Sequence, residues 1–397
     1  MNKTYSRREF AKTLLGAGVA ATLLPHIAWA LPDKIDPKVA RLVARTIGID
    51  AHNHIDVPML AQEMAGYNVP LAAELQKSGL TAISMTFAVD YVKLTEEEQA
   101  YQRFLNGLEV MDNILKANGM TRALTLADIK KAHKQKKPTV IQSVEGAHFL
   151  EGKIERLQVA YDRGLRHLTL LHDNDASVPL GDVFTNPPQW GGLTDFGAEV
   201  IKECERLGIL VDLAHAANKT VDMALEVATK PIIFSHTSSN KSLSNNEMLN
   251  KMMMPRLMSD EQAKKIAQKG GVIGVWANLA ESPLAYAQNI KTLADIVGVD
   301  HIAIGTDSKL TPEYNSPNEV RPLPELPKDG EKGKGDFPKN DKHLKKGKTT
   351  NALWEGEIDG FYYTVVDALL KVGFSERDIT KIGGENYGRI FDVTTKK

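Results

Sequence analysis

Ile47-Gly-Ile-Asp-Ala-His-Asn-His54 is a short apolar run that ends in two histidines, and it decides how the rest of the chain is interpreted. Seven further apolar runs follow, separated by longer stretches in which apolar residues recur with helical spacing. Most runs are continuous in Val, Ile and Leu, as in parallel strands covered on both faces. The eight predicted strands are Ile47–Ala51, Thr81–Ala88, Thr139–Ser143, His167–Leu171, Ile209–Leu213, Pro231–Phe234, Val272–Trp276 and His301–Ile304.

The stretches between the runs carry signals of helix ends. The segment that starts at Asp195 is preceded by Thr194, a good N-terminal cap, and it ends near Gly208. A strand followed by a helix, repeated eight times, predicts a closed (β/α)8 TIM barrel. We therefore expect residues 31–397 to form one α/β barrel domain.

Polar side chains gather where the predicted strands end. In a barrel of this kind the active site lies at the C-terminal face of the strands, whereas the opposite face mainly serves stability. Six of the eight strands run into groups that bind metals or titrate, namely Asp50 with His52 and His54, Glu145, His172, His215, His236 and Asp307.

The spacing of these groups predicts a site for two metal ions. His52 and His54 are two residues apart, so both imidazoles lie on the same side of their strand. Glu145 has two carboxylate oxygens and could bridge two cations. His215 and His236 end consecutive strands and should be neighbours. Each residue alone could instead be a hydrogen-bonded core histidine or a salt-bridged acid.

The first thirty residues differ from the rest of the chain. Ser6-Arg7-Arg8-Glu9-Phe10 precedes an apolar stretch that ends Ala28-Trp29-Ala30, which indicates a twin-arginine export signal cleaved after Ala30. A membrane-anchoring helix is the alternative, but the stretch is short and interrupted by Pro25. We expect export to the periplasm through the twin-arginine machinery.

Composition and charge narrow the remaining classes. The 397 residues are 42% hydrophobic and 25% charged, as in an ordinary globular protein. The formal net charge of −1 gives no excess of positive charge that would attract nucleic acid. The single cysteine, Cys204, has no partner for an internal disulfide, and its helical surroundings predict a packed thiol. Stability is expected to come from the core and from bound metal.

Residues 311–350 depart from the alternating pattern. They are rich in Pro, Gly and Lys and have no usable periodicity, so they predict a long irregular loop. A lid, a binding loop or a solvated face would each account for this composition. The amphipathic run from Glu357 to Val372 then predicts the last barrel helix.

Several motifs, taken in order, resemble the renal or membrane dipeptidase family of the amidohydrolase superfamily. The resemblance covers nearly all of the chain after the export signal. The motifs are Asp50-Ala-His-Asn-His, Val144-Glu-Gly-Ala-His, Leu168-Thr-Leu-Leu-His172, Gly192-Leu-Thr-Asp-Phe-Gly, Asp212-Leu-Ala-His215, Phe234-Ser-His-Thr-Ser, Pro255-Arg256, Gly305-Thr-Asp307 and Gly383-Gly-Glu-Asn386.

The resemblance implies a zinc dipeptidase that hydrolyses dipeptides with a hydroxide shared by two metal ions. It implies that Arg256 holds the dipeptide carboxylate, that His172 lies by the scissile carbonyl and that Asp307 is the acid/base. The implied ligands of two Zn²⁺ ions are His52, His54, Glu145, His215 and His236. The expected partners are a dipeptide and the export machinery, with a homodimer left open.

The first strand departs from the family pattern. The family usually has His-x-Asp there, whereas this chain has His52-x-His54, with Asp56 two residues later. An imidazole in place of a carboxylate makes the charge of the site more positive by about one elementary charge. Two other classes of function therefore stay open. One is a different superfamily hydrolase acting on a lactone, cyclic amide or phosphoester, and the other is a non-catalytic metal-binding barrel.

Overall fold

The computed structural model describes residues 35–242, 250, 253–319, 348–355 and 360–396. The export signal predicted at 1–30 lies outside these residues. The irregular stretch predicted at 311–350 is described only at its two ends, 311–319 and 348–350. Within the described part of the chain, every helix falls short of the length and apolar character that a bilayer crossing requires.

Eight parallel strands form a closed barrel, as the sequence predicted. Each strand pairs with the next one along the chain, and β8 and β2 both pair with β1, which closes the ring. A two-residue ninth strand, which was not predicted, adds to β1 beside His54. The strands are β1 Ile49–His54, β2 Ala82–Thr86, β3 Thr139–Glu145, β4 Leu165–Thr169, β5 Leu210–Asp212, β6 Ile233–Thr237, β7 Val272–Val275, β8 Ile302–Ile304 and β9 Ser308–Lys309.

Helices cover the outside of the barrel. The predicted cap residues delimit the helix Asp195–Leu207, since the Thr194 side chain accepts from the backbone of Gly197 and Gly208 adopts a left-handed conformation. One outer helix follows each of the eight barrel strands in turn, namely Leu71–Ser78, Gln99–Ala117, Arg156–Asp162, Asp195–Leu207, Asn218–Val227, Asp260–Gln268, Pro283–Val297 and Phe361–Lys371. Additional helices are Pro37–Arg45, Ala61–Met64, Leu126–Gln135, Glu376–Thr380 and Asn386–Thr395.

Apolar side chains fill the barrel and close its amino-terminal end. Inward-facing residues from the strands pack into one cluster with Tyr387, Ile390 and Phe391 of the last helix, and all three are fully buried. A larger apolar cluster lies between the strands and the surrounding helices, and it includes Cys204. The predicted metal-binding residues lie towards the other end of the barrel, where the strands end.

Two glycines let the barrel close tightly beside the polar end. A Cβ atom on Gly305 would lie 1.8 Å from the backbone oxygen of Ser235, and one on Gly274 would lie equally close to that oxygen. We expect Gly305→Ala to lower the free energy of unfolding by about 1–3 kcal/mol, since the backbone of β6 would have to move. Urea denaturation measures the change.

The control for this variant is Gly66→Ala. Gly66 has a φ of +74°, and a Cβ atom added there would meet nothing within 4 Å. This variant therefore measures only the destabilisation caused by a side chain at positive φ, about 1–2 kcal/mol. Gly305 does not have a positive φ, so its cost comes from the contact. Unchanged stability of Gly305→Ala would contradict the tight approach of β6 and β8.

Candidate metal centre

The five residues predicted to bind metal lie together at the carboxyl ends of the strands. Each is carried by a strand end or by the residues just after it, and each is buried, with an exposed fraction between 0% and 7%. His52 and His54 end β1, Glu145 ends β3, His215 follows β5 and His236 lies in β6. The regular ends of parallel strands thus bring together groups that are far apart in the sequence.

Glu145 lies at the centre of this group. Imidazole Nε2 atoms surround both of its carboxylate oxygens. The distances to Oε1 are 3.0 Å from His215, 3.3 Å from His52 and 3.6 Å from His236, and those to Oε2 are 3.3 Å from His54 and 3.4 Å from His172. The Nε2 atoms of His52 and His54 are 3.2 Å apart, and those of His215 and His236 are 3.0 Å apart.

The chemistry of this set fits divalent cations. Neither oxygen of Glu145 makes a hydrogen bond to a described residue, although the side chain is buried, and leaving a buried polar group without hydrogen bonds is costly. Nitrogen and carboxylate ligands of this kind suit zinc. Three groups of side chains hold ligand atoms within 4.8 Å of one another, namely His52, Glu145 and His236; His52, His54 and Asp307; and Glu145, His172 and His215.

The charges of the cluster are interdependent. Burial lowers the pKa of His52, but the charge and close contact of Glu145, together with the charges of Asp307 and Asp212, raise the pKa to about 9. Burial raises the pKa of Glu145, yet the nearby imidazoles hold it well below its usual range. Burial and the charge of His52 lower the pKa of His236 to about 3. The carboxylate therefore stays ionised, as a bridging ligand must.

Asp307 lies beside the first histidine pair. Its Oδ1 is 3.3 Å from Nε2 of His54 and 4.0 Å from Nε2 of His52, and its Oδ2 accepts a hydrogen bond of 3.0 Å from the Asn278 amide. Burial raises the pKa of Asp307, but the neighbouring imidazoles and the hydrogen bond from His54 hold the pKa well below the usual range. An ionised carboxylate with one oxygen facing the cluster can accept a proton.

His172 is held by an aspartate that the sequence analysis did not single out. Its Nδ1 donates to Oδ1 of Asp90 at 2.6 Å, so its Nε2 faces Glu145. Burial lowers the pKa of His172, but Asp90 and Glu145 raise it to about 10. The side chain is then a hydrogen-bond donor, as the stabilisation of a developing negative charge requires. Asp90 follows β2, and its position after a strand was the available signal.

Further partners orient the other imidazoles. Nδ1 of His54 is 3.0 Å from the Tyr91 hydroxyl, and Nδ1 of His215 is 2.9 Å from Oδ1 of Asp173. Nδ1 of His236 is 2.9 Å from the Ser235 hydroxyl, which donates to Oδ2 of the buried Asp212 at 2.6 Å. Such partners fix the tautomer and direction of a ligating imidazole. Of these residues, the sequence offered Ser235 and Asp212, each as part of a motif.

Two site residues have a left-handed backbone. The φ angles are +68° at His215 and +53° at Asp307, a region that residues other than glycine seldom adopt. This conformation costs about 1–2 kcal/mol per residue. Strain of this size is often found at functional sites, where the surrounding structure holds it in place.

Arg256 lies at the rim of the cluster and is partly exposed. Its Nη2 donates to Oδ1 and Oδ2 of Asp173 at 3.1 and 3.0 Å, and its guanidinium carbon lies 4.9 Å from the centre of the Phe184 ring. The side chain borders a narrow cleft, whose other lining residues are Phe184, His215, Phe234, His236 and Trp276. A partly exposed guanidinium at the rim of the cluster suits a ligand that has a carboxylate.

Asp56 does not replace the carboxylate that the family usually has at His54. Its side chain is buried and accepts a hydrogen bond of 2.7 Å from Nζ of Lys309. Lys309 belongs to the unpredicted strand β9 and pairs with His54 across the sheet. The site therefore has the imidazole of His54 facing Glu145 and Asp307, where the family motif has a carboxylate.

The fold and this cluster define a (β/α)8 barrel with a candidate metal centre at the carboxyl ends of its strands. Residues 37–326 match the model of the membrane dipeptidase family (peptidase family M19), so the chain belongs to that family. Dipeptidase 3 of Mus musculus is 27% identical over 223 residues. That match covers 53% of this chain and 43% of the mouse protein, so it spans less than half the length of this relative.

Solved structures share the architecture over most of the chain. An amidohydrolase from Pseudomonas aeruginosa is 25% identical, with a TM-score of 0.66 and coverage of 90% of this chain and 99% of that one. A metallopeptidase from Rhodobacter sphaeroides, bound to a phosphinate mimic of the dipeptide L-Ala-D-Ala, is 16% identical. Its TM-score is 0.61, and the match covers 88% of this chain and 99% of that one. At this identity the likeness concerns the fold.

Proposed function

We propose that the chain is an exported zinc dipeptidase that hydrolyses the peptide bond of free dipeptides. The observation that carries this proposal is Glu145, a buried carboxylate with no hydrogen bond to a described residue, ringed by imidazole nitrogens. Membership of the membrane dipeptidase family supports the choice of reaction. The dipeptide mimic bound to the Rhodobacter sphaeroides metallopeptidase supports the choice of substrate.

The proposed cofactor is a pair of Zn²⁺ ions. The residues that would hold the ions are His52, His54, Glu145, His215 and His236. When bound, the zinc pair supplies a water of lowered pKa and polarises the scissile carbonyl. An imidazole must be neutral to bind zinc, and the nearby carboxylates raise the pKa of His52, so zinc binding at His52 would be accompanied by release of a proton.

The remaining polar residues would handle protons and charge. Asp307 accepts the proton of the attacking water through Oδ1 and passes it to the leaving amine, while Asn278 holds its other oxygen. His172, fixed by Asp90, donates through Nε2 to the oxygen that becomes negative as the carbonyl is attacked. Both side chains contact the cluster, so neither needs a large movement to act.

Arg256 would read the free carboxylate of the substrate. A guanidinium binds a carboxylate through charge-assisted hydrogen bonds, which orient the ligand as well as attract it. An anchor at this position restricts the substrate to short peptides, because a longer chain would place its carboxylate beyond the guanidinium.

A different hydrolase of the same superfamily is the second candidate function. His54 favours it, because this imidazole stands where the family usually has a carboxylate. Such an enzyme would act on a lactone, a cyclic amide or a phosphoester. A non-catalytic metal-binding barrel is less well supported, because Asp307 beside the cluster would have no task in a protein that only binds metal.

Turnover of a dipeptide panel, combined with metal analysis, tests the proposed function. We expect purified protein to hold about two divalent ions and to cleave members of a panel of L,L, L,D and glycine-containing dipeptides. The panel also defines the stereochemical preference. Hydrolysis of a lactone, cyclic amide or phosphoester in the absence of dipeptide cleavage would reject the dipeptidase in favour of the second candidate.

Export is a separate proposal that concerns residues 1–30. A reporter fused to this segment should reach the periplasm by the twin-arginine route and be processed after Ala30, leaving Leu31 as the first residue. Replacing both Arg7 and Arg8 by Lys should block that route. Unchanged export of the double variant through the twin-arginine machinery would show that the segment is not a signal of this type.

A further inference from the structure

Asp173 connects the carboxylate anchor to the metal cluster. Its Oδ1 accepts from Nδ1 of His215 at 2.9 Å, and both of its oxygens accept from Nη2 of Arg256, at 3.1 and 3.0 Å. His215 in turn places its Nε2 3.0 Å from Oε1 of Glu145. A single carboxylate is therefore in contact with both a proposed zinc ligand and the proposed substrate anchor.

The contact engages only part of the guanidinium. Among the described residues, the hydrogen bonds that the Arg256 side chain donates go to Asp173 alone, and all of them use Nη2. Arginine has five N–H donors in a planar fork, so an edge remains for a second carboxylate. The side chains of Arg256 and Asp173 are 25% and 37% exposed, so both can be reached by a ligand from solvent.

We propose that Asp173 is a specificity-determining residue that weakens the hold of Arg256 on the free carboxylate of substrate and product. This inference rests on the proposed function in one respect, because it takes Arg256 to be the carboxylate anchor. The mechanism is electrostatic. Asp173 partly neutralises the guanidinium, and it places a like charge beside any carboxylate that binds there.

The hydrogen bond from His215 keeps the Asp173 carboxylate beside Arg256 when a substrate binds. An aspartate held only by Arg256 could turn away when a substrate carboxylate arrives, and the repulsion would then disappear. Because Oδ1 of Asp173 also accepts from Nδ1 of His215, the carboxylate is fixed at two points. A substrate therefore binds Arg256 beside Asp173 rather than in its place. The released amino acid, which carries the same carboxylate, is held weakly as well and leaves readily.

Asp173→Asn is the variant that tests the inference. The amide keeps an oxygen that accepts from His215, but it removes the negative charge beside Arg256. We expect the zinc-loaded variant to bind glycine about two- to fivefold more tightly by isothermal titration calorimetry, with binding of glycinamide unchanged. The KM for glycylglycine should fall by a similar factor, while the KM for its amide stays the same.

The matched control is Asp175→Asn. Asp175 lies two residues further along the same loop, and its Oδ2 accepts from the side chains of Asn186 and Gln189 rather than from Arg256. This variant changes the net charge by the same unit without touching the anchor. Zinc content, measured by elemental analysis in both variants, shows whether His215 still binds metal.

Two outcomes would overturn the inference. Equal changes for glycine and glycinamide would mean that Asp173 acts only through His215. Weaker binding of glycine to Asp173→Asn would mean that Asp173 positions Arg256 for binding instead of weakening its interaction with the carboxylate. The glycine titration needs no turnover, so it decides the role of Asp173 even if the parent protein fails to cleave dipeptides and the proposed function falls.

Discussion

Replacing Asp307 by Asn is expected to lower kcat for dipeptides by about 10²- to 10⁴-fold, the usual contribution of a general acid or base. The amide keeps the shape of the side chain and a hydrogen-bonding oxygen, but it is too weakly basic to take a proton from water. The Oδ1 atom concerned lies 3.3 Å from Nε2 of His54, within the cluster where the reaction would occur. Steady-state kinetics of zinc-loaded protein measure the loss.

Two further measurements make this result specific. Elemental analysis of Asp307→Asn should still find the metals of the parent, because five other ligand candidates remain. Asp295→Asn serves as the control, since this aspartate is 63% exposed and, among the described residues, pairs with Lys291 on an outer helix. Loss of one metal ion from Asp307→Asn would show that Asp307 is a ligand rather than the acid/base. Unchanged turnover would remove it from the mechanism.

Replacing Arg256 by Met should reduce kcat/KM for free dipeptides by about ten- to a hundredfold, because a charge-assisted hydrogen bond is worth roughly 1.5–3 kcal/mol. Methionine keeps much of the length of the side chain but cannot donate to a carboxylate. Dipeptide amides lack that carboxylate, so the parent should cleave them poorly. The substitution should have little effect on kcat/KM for these amides. The comparison of acids with amides isolates the recognition of the terminal group.

The contact between Arg256 and Asp173 requires a control. Loss of the guanidinium could disturb Asp173 and, through it, His215, so zinc content should be compared between Arg256→Met and the parent. Arg206→Met, at a side chain that is 61% exposed and paired with Glu203, controls for the loss of a positive charge. If the parent cleaves dipeptides and their amides equally well, and Arg256→Met affects neither, the terminal carboxylate is not recognised.

The barrel could be predicted because each strand–helix unit carries its own local signals. The helix Asp195–Leu207 begins and ends at the residues indicated by Thr194 and Gly208. Strand ends were less accurate: β2 covers Ala82–Thr86, shorter than the predicted 81–88. The strand Ser308–Lys309 was missed, because two residues are too few to show a period and its pairing with β1 is a tertiary effect.

The central residues of the site could be predicted for a geometric reason. The carboxyl ends of parallel strands meet at one end of a barrel, so His54, Glu145 and His236 had to approach one another once their strands were recognised. Asp90 and Asp173 were not identified, because their contacts depend on the paths of the loops beyond β2 and β4. Hydrophobic periodicity does not encode such paths.

A zinc titration tests whether two metal ions, held by the cluster around Glu145, make this barrel a dipeptidase. Chelator-treated protein, freed of metal, is titrated with Zn²⁺ while hydrolysis of a dipeptide from the panel is followed. We predict that activity rises with added zinc and reaches its plateau at about two equivalents per chain. A plateau at one equivalent would rule out a two-metal enzyme, and no dipeptide hydrolysis at any zinc concentration would rule out a dipeptidase.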